Sequence, residues 1–155
     1  MTEIYVDADA CPVRDEVLKV AARHNVMTIF VSDGGIRPPN TPLARIVIVN
    51  EGADAADDWI CDHIPAHGVV VTNDIPLADR CMKKGGYAIR PNGRVFTEDQ
   101  IGMALATRDL MAGLRETGTM TGGPAAFSKN DRSRFLDAFE VLLTKAVREA
   151  VHQAR

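Results

Sequence analysis

The chain has 155 residues, 46% hydrophobic and 25% charged, with a formal net charge of −3, which suits one soluble domain with a real core. That charge excludes a global attraction to nucleic acid or anionic membrane, although a local basic rim around an acidic centre can still hold a phosphate backbone. The three cysteines (Cys11, Cys61 and Cys81) lack C-x-x-C spacing, which argues against a disulfide framework or a zinc cluster, and no run approaches the roughly 20 apolar residues of a membrane span.

The start "MTEIYVDADA" lacks the basic opening and long apolar stretch of a signal peptide, so the expected setting is a reducing cytoplasm. Ile4 to Val6 is a short strand candidate. Pro12 then opens a helix through about His24, with Val13, Val17, Leu18, Val20 and Ala21 recurring at helical spacing. "VMTIFVS" is a second, β-branched strand, "DGGIRPPNTPLA" a loop by its Gly and Pro content, and "RIVIVN" a third strand. Its continuous apolar run predicts cover on both faces. "GADAADDWICDHI" is an acidic-headed helix closed by Pro65 and Gly68, and "GVVVTND" is a fourth strand. "IPLADRCMKKGG" is a helix with basic residues before its terminal glycines, as dipole and capping rules expect. "YAIRP" is a fifth strand and "NGRVF" a small hairpin arm. Beyond Thr97 come two amphipathic helices, "EDQIGMALATRDLMAGLRE" and "DRSRFLDAFEVLLTKAVREAV", joined by a Gly/Thr-rich segment. The alternation predicts a three-layer α/β/α sandwich around a mostly parallel sheet. It is read as a single domain over residues 1–155, with an α/β core at 1–96 and a C-terminal helical extension at 97–155.

In such sheets the ligand site lies at the carboxyl ends of the strands. There the sequence places Asp7 and Asp9 after strand one, and Asp74 after strand four with Asp79 five residues on. The helix after strand three carries Asp54, Asp57 and Asp58, which share one face with Cys61 while Trp59 and Ile60 point away. Each acid also has an ordinary role, as a turn residue or as a carboxylate stabilising a helix dipole. Together they form an oxygen-rich set whose mutual repulsion Mg²⁺ or Mn²⁺ would offset. Two such ions can activate water and stabilise the leaving oxygen in phosphodiester hydrolysis. Cys11 lacks the C-x5-R spacing of a phosphatase, since position 17 is Val, and Pro65 between His63 and His67 argues against a shared helical face.

Four stretches, "YVDADACPVRDE", "GADAADDWI", "VVTNDIPLADRCMKKG" and "TGGPAAFSKNDRSRF", resemble the YaiI/YqxD family of bacterial proteins, and the likeness runs over nearly the whole chain. That family is placed with PIN-like nuclease domains. The resemblance implies a PIN-like sandwich with strand order 3-2-1-4-5 and a metal-dependent nuclease site. The PIN-like acids fall on Asp7, on Asp57 or Asp58, on Asp74 and on Asp79, with Asp9 an acid of this family's own pattern. The segment "TGGP…SKNDRSRF" is no part of the general PIN pattern.

The expected function is therefore a divalent-metal-dependent nuclease acting on RNA. Asp7, Asp58 and Asp74 would hold Mg²⁺ or Mn²⁺, and Asp9, Asp57 and Asp79 would complete the shell or orient water. Arg14, Arg37, Arg80, Lys83, Lys84 and Arg132 are the available phosphate-binding cations; singly, each reads as a solvated surface group. With aromatic residues at only 5%, a wide stacking platform for single strands is not evident. One alternative is a haloacid-dehalogenase-like phosphatase, matched by "DAD". It needs a lysine shortly before its later acids, and none lies between Lys19 and Lys83. The other is a non-catalytic module binding nucleic acid or protein through residues 117–135, where Ser128 or Asn130 reads more simply as a helix N-cap.

Overall fold

The computed structural model describes residues 2–8, 11–34, 36–37, 39–50, 54–103, 106 and 127–153. In chain order the elements are β1 (Ile4–Asp7), α1 (Arg14–His24), β2 (Thr28–Ser32), β3 (Ala44–Ile48), α2 (Ala55–His63), β4 (Val69–Val71), α3 (Ile75–Lys83), β5 (Tyr87–Ile89), a helical stretch at 98–103 (α4) and α5 (Lys129–Gln153). The five strands form one parallel sheet in the order β3-β2-β1-β4-β5, the order that the resemblance implied. Ile4 of β1 pairs in register with Thr28 of β2 and with Val69 of β4. The chain runs outward from β1 to β3 and then crosses to β4 on β1's other side. This places a topological switch point between the carboxyl ends of β1 and β4.

The period of two along a strand sorts the core. Ile4, Val6, Phe30, Val69 and Val71 face one layer, where they pack with Val17 and Val20 of α1 and Phe135, Phe139 and Leu143 of α5. Tyr5, Ile29, Val31 and Val70 face the other, against Ile60 of α2 and Leu77, Ala78 and Cys81 of α3. Burying a side chain of this size contributes about 1.5–3 kcal/mol, so both layers depend on these rows. Because α5 shares a core with β1, it is half of one layer rather than an appendage to it.

Local chemistry sets the element ends. Asn25 closes α1 in the left-handed conformation (φ 52°), which Asn tolerates better than most residues. The Ser128 N–H donates to Asp131 Oδ2 at 2.9 Å and the Asp131 N–H donates to Ser128 Oγ at 3.1 Å. This reciprocal cap opens α5. The "NGRVF" arm forms as expected, with Ile89 bridging Val95 antiparallel and the Arg90 N–H donating to the Arg94 carbonyl at 2.9 Å. Gly93 (φ 91°) lets this arm sit against α5, since a Cβ there would lie 2.7 Å from the backbone of Arg134.

One expectation is corrected. The apolar run in β3 predicted cover on both faces, yet β3 lies at the sheet's edge with Arg45 exposed and Ile48 61% exposed. An edge strand has a neighbour on one side only, and an apolar run does not reveal which strand that will be. No described helix is long and apolar enough to cross a membrane. Of the helix expected after Thr97, residues 98–103 and 106 are helical; 107–116 lie outside the described residues, as do residues 117–126 of the proposed binding segment.

Candidate active site at the carboxyl edge of the sheet

Asp7 ends β1. It has the same parity as Tyr5, so its side chain falls on the face covered by α2 and α3. Asp74 follows β4 and caps α3: its Oδ1 accepts the Leu77 N–H at 2.9 Å, while its own N–H donates to Thr72 Oγ1 at 3.0 Å. Thr72 is buried, so the strand end holds Asp74 in place from behind. Pro76 in the first turn of α3 fits this entry, where a missing N–H costs nothing.

Asp57 on α2 joins these two. Its carboxyl is pushed up to about 6, first by burial and then by the negative charges of Asp74, Asp7 and Asp54, with Arg80 acting in the opposite sense. Asp7 and Asp74, from two other elements, thus lie close enough to Asp57 for their charges to oppose its ionisation at the switch point. Asp58, the next residue, turns outward instead, and its Oδ1 accepts from Arg80 at 3.0 Å. Asp79 Oδ2 accepts from Lys83 at 2.8 Å, one turn along α3. Both pairs are partly or largely exposed, and such pairs contribute only about 0.2–1 kcal/mol. Asp9 lies outside the described residues.

Among the described residues, no group of three His, Cys, Asp or Glu side chains is gathered closely enough to hold a metal ion. The donor chemistry nonetheless fits a hard divalent cation. Asp7, Asp57 and Asp74 offer oxygen alone, and the carboxyl of Asp57 is raised by burial first and by the neighbouring carboxylates second. The histidines are engaged elsewhere: His63 stacks on Trp59 with ring centroids 3.9 Å apart, and His67 lies by Glu149 and Tyr87.

The six candidate cations divide into two groups. Arg80, Lys83 and Lys84 lie at the end of α3, where they meet Asp58, Asp79 and the Cys61 carbonyl respectively. Arg14, Arg37 and Arg132 line one pocket on the α1 side of the sheet. Cys11 also lines that pocket; burial pushes its thiol up to about 11, so it is a neutral thiol at physiological pH and not an activated nucleophile. Sequence reasoning missed Thr72 as the support for Asp74. The signal was there in "TND", a Thr two residues before an Asp at a strand end, which is the spacing of a hydroxyl-closed turn.

Residues 5–145 match the family described as "Uncharacterized BCR, YaiI/YqxD family". The chain is similar to a UPF0178 protein of Rhodopseudomonas palustris, 55% identical over 148 residues that cover 96% of this chain and 94% of the relative. It is also similar to UPF0178 proteins of Caulobacter vibrioides (55% identity; 95% and 96% covered) and Parvibaculum lavamentivorans (57% identity; 90% and 92% covered). No solved structure matches.

Proposed function

The chain belongs to the YaiI/YqxD family, and from that premise we propose that it is a divalent-metal-dependent phosphodiesterase, a nuclease whose expected substrate is RNA. The observation that supports this reading is the effect of Asp7 and Asp74 on Asp57: the three come from β1, the end of β4 and α2, at the sheet edge where parallel sheets bind ligands. A like-charge cluster is unfavourable by itself and calls for a counter-charge. Asp7, Asp57 and Asp74 would hold Mg²⁺ or Mn²⁺, which when bound would supply activation of water and stabilisation of the leaving oxygen. Asp58 and Asp79 hold Arg80 and Lys83 at the outer side of the same helices, where those cations can meet a phosphate backbone.

The test is cleavage of labelled RNA and DNA oligonucleotides with Mn²⁺, by wild type, Asp57→Asn and Asp74→Asn, with p-nitrophenyl phosphate assayed in parallel. The reading predicts metal-dependent cleavage that both substitutions reduce on the order of a hundredfold or more, as loss of several kcal/mol of transition-state stabilisation implies. Turnover of p-nitrophenyl phosphate alone would replace the nuclease with a phosphatase. No turnover of any substrate by folded wild type would leave a binding module.

A further inference from the structure

Between the N-terminus of α1 and the loop after β2 lies a pocket of about 410 Å³ whose lining includes three arginines: Arg14 from α1, Arg37 from the loop and Arg132 from α5. That volume is within the roughly 300–1,000 Å³ of small-molecule sites.

The three arginines are unequal. Arg132 is anchored, donating to the Pro12 carbonyl at 2.6 Å and to Glu16 Oε1 at 3.2 Å while lying over the Phe127 ring at 4.9 Å. Arg14 and Arg37 make no ion pair among the described residues. Asp15 is the one acid among the described lining residues, which together keep an excess of positive charge. Asp15 and Glu16 in the first turn of α1 offset the positive end of that helix, so the arginines carry the field. Arginine forks match phosphate oxygens in a bidentate way that a single ammonium does not. The rest of the wall is apolar, formed by Phe30, Ile36 and Pro39 among others, a surface on which a base or ribose can lie.

The location ties this pocket to the acids. Phe30 belongs to the sheet face covered by α1 and α5, and Asp7 to the opposite face. Cys11, in the pocket wall, lies near enough to both Arg14 and Asp7 to feel each of their charges. The basic pocket and the acidic cluster therefore stand on either side of the sheet's carboxyl edge, with the end of β1 between them.

We propose that this pocket binds the terminal, phosphate-bearing nucleotide of a single strand, so that the strand crosses the edge of the sheet at Asp7 and is cut from an end. The use of the bound end for cleavage rests on the phosphodiesterase reading above; the binding itself does not require it. Three short RNAs of one sequence, carrying a 5′-phosphate, a 3′-phosphate or hydroxyls at both ends, are titrated by fluorescence anisotropy in EDTA. They are tested against wild type, Asp57→Asn and Arg14→Gln/Arg37→Gln, with thermal melts to confirm that each is folded. Wild type and Asp57→Asn are expected to bind one phosphorylated RNA at least roughly tenfold tighter than the hydroxyl form, with the preference lost in the arginine variant. The phosphorylated end that is preferred identifies the polarity. Equal affinity for all three RNAs, or a preference that survives Arg14→Gln/Arg37→Gln, overturns the proposal. A terminal preference without any cleavage in the Mn²⁺ assay would uphold the pocket and defeat the phosphodiesterase reading; cleavage without the preference would do the reverse.

Discussion

Asp57 on α2 faces Asp74 at the end of β4, and after burial the charge of Asp74 is the largest influence holding a proton on Asp57, whose carboxyl titrates at about 6. This influence of Asp74 adds to that of burial. It arises because α2 and α3 pack together on one face of the sheet and bring the acid of one helix against the N-cap of the other.

The pH dependence of stability follows from that pairing. The folded value of about 6 stands above the roughly 3.9 of an unfolded aspartate. Between those values the folded chain binds the extra proton, so stability falls as pH rises through that window and stays lower above it. Asp57→Asn removes the titration. Allowing for solvent screening of a partly exposed group, it should stabilise the protein by about 1 kcal/mol near pH 8, or roughly 2–4 °C in Tm, with little change near pH 4. Thermal melts at the two pH values check this; an equal shift at both would contradict it.

Asp74 has two roles that substitution can separate. Asn keeps an oxygen to accept the Leu77 N–H, whereas Ala removes the cap, a loss of about 1 kcal/mol. Asp74→Ala should therefore melt lower than Asp74→Asn, while both lose cleavage to a similar extent. If Asp74→Asn keeps full activity with Mn²⁺, the carboxylate serves only as a cap.

Arg132 ties the last helix to the first through the Pro12 carbonyl and Glu16. Arg132→Ala leaves Glu16, only 17% exposed, without this partner. A destabilisation of about 1–2 kcal/mol is expected. A double-mutant cycle with Glu16→Gln should recover part of it as coupling energy. Strict additivity would show that the pair contributes nothing and that α5 is held by its apolar face alone.

Much of the fold was legible because it is written in local periodicity. The β-branched runs gave the strands, the spacing of Val13, Val17 and Val20 gave α1, and Asp7 and Asp74 stood where strands end. What was not legible depends on how elements meet. Asp57 and Asp58 are neighbours about 100° apart around a helix, and only the packing of α2 on α3 decides that Asp57 turns to Asp74 while Asp58 turns to Arg80. The sheet order came from a resemblance and not from the pattern of residues. The placing of Arg14, Arg37 and Arg132 around one pocket needs α5 to dock on α1 across most of the chain, and no local signal records that.

The central claim is that the carboxylates at the switch point form a divalent-cation site. Calorimetric titration of Mn²⁺ into wild type and into Asp7→Asn/Asp74→Asn, with Mg²⁺ in competition, tests it most directly. The account predicts saturable binding in wild type that disappears in the folded double variant. No saturable binding in wild type, or equal binding by the variant, would contradict it.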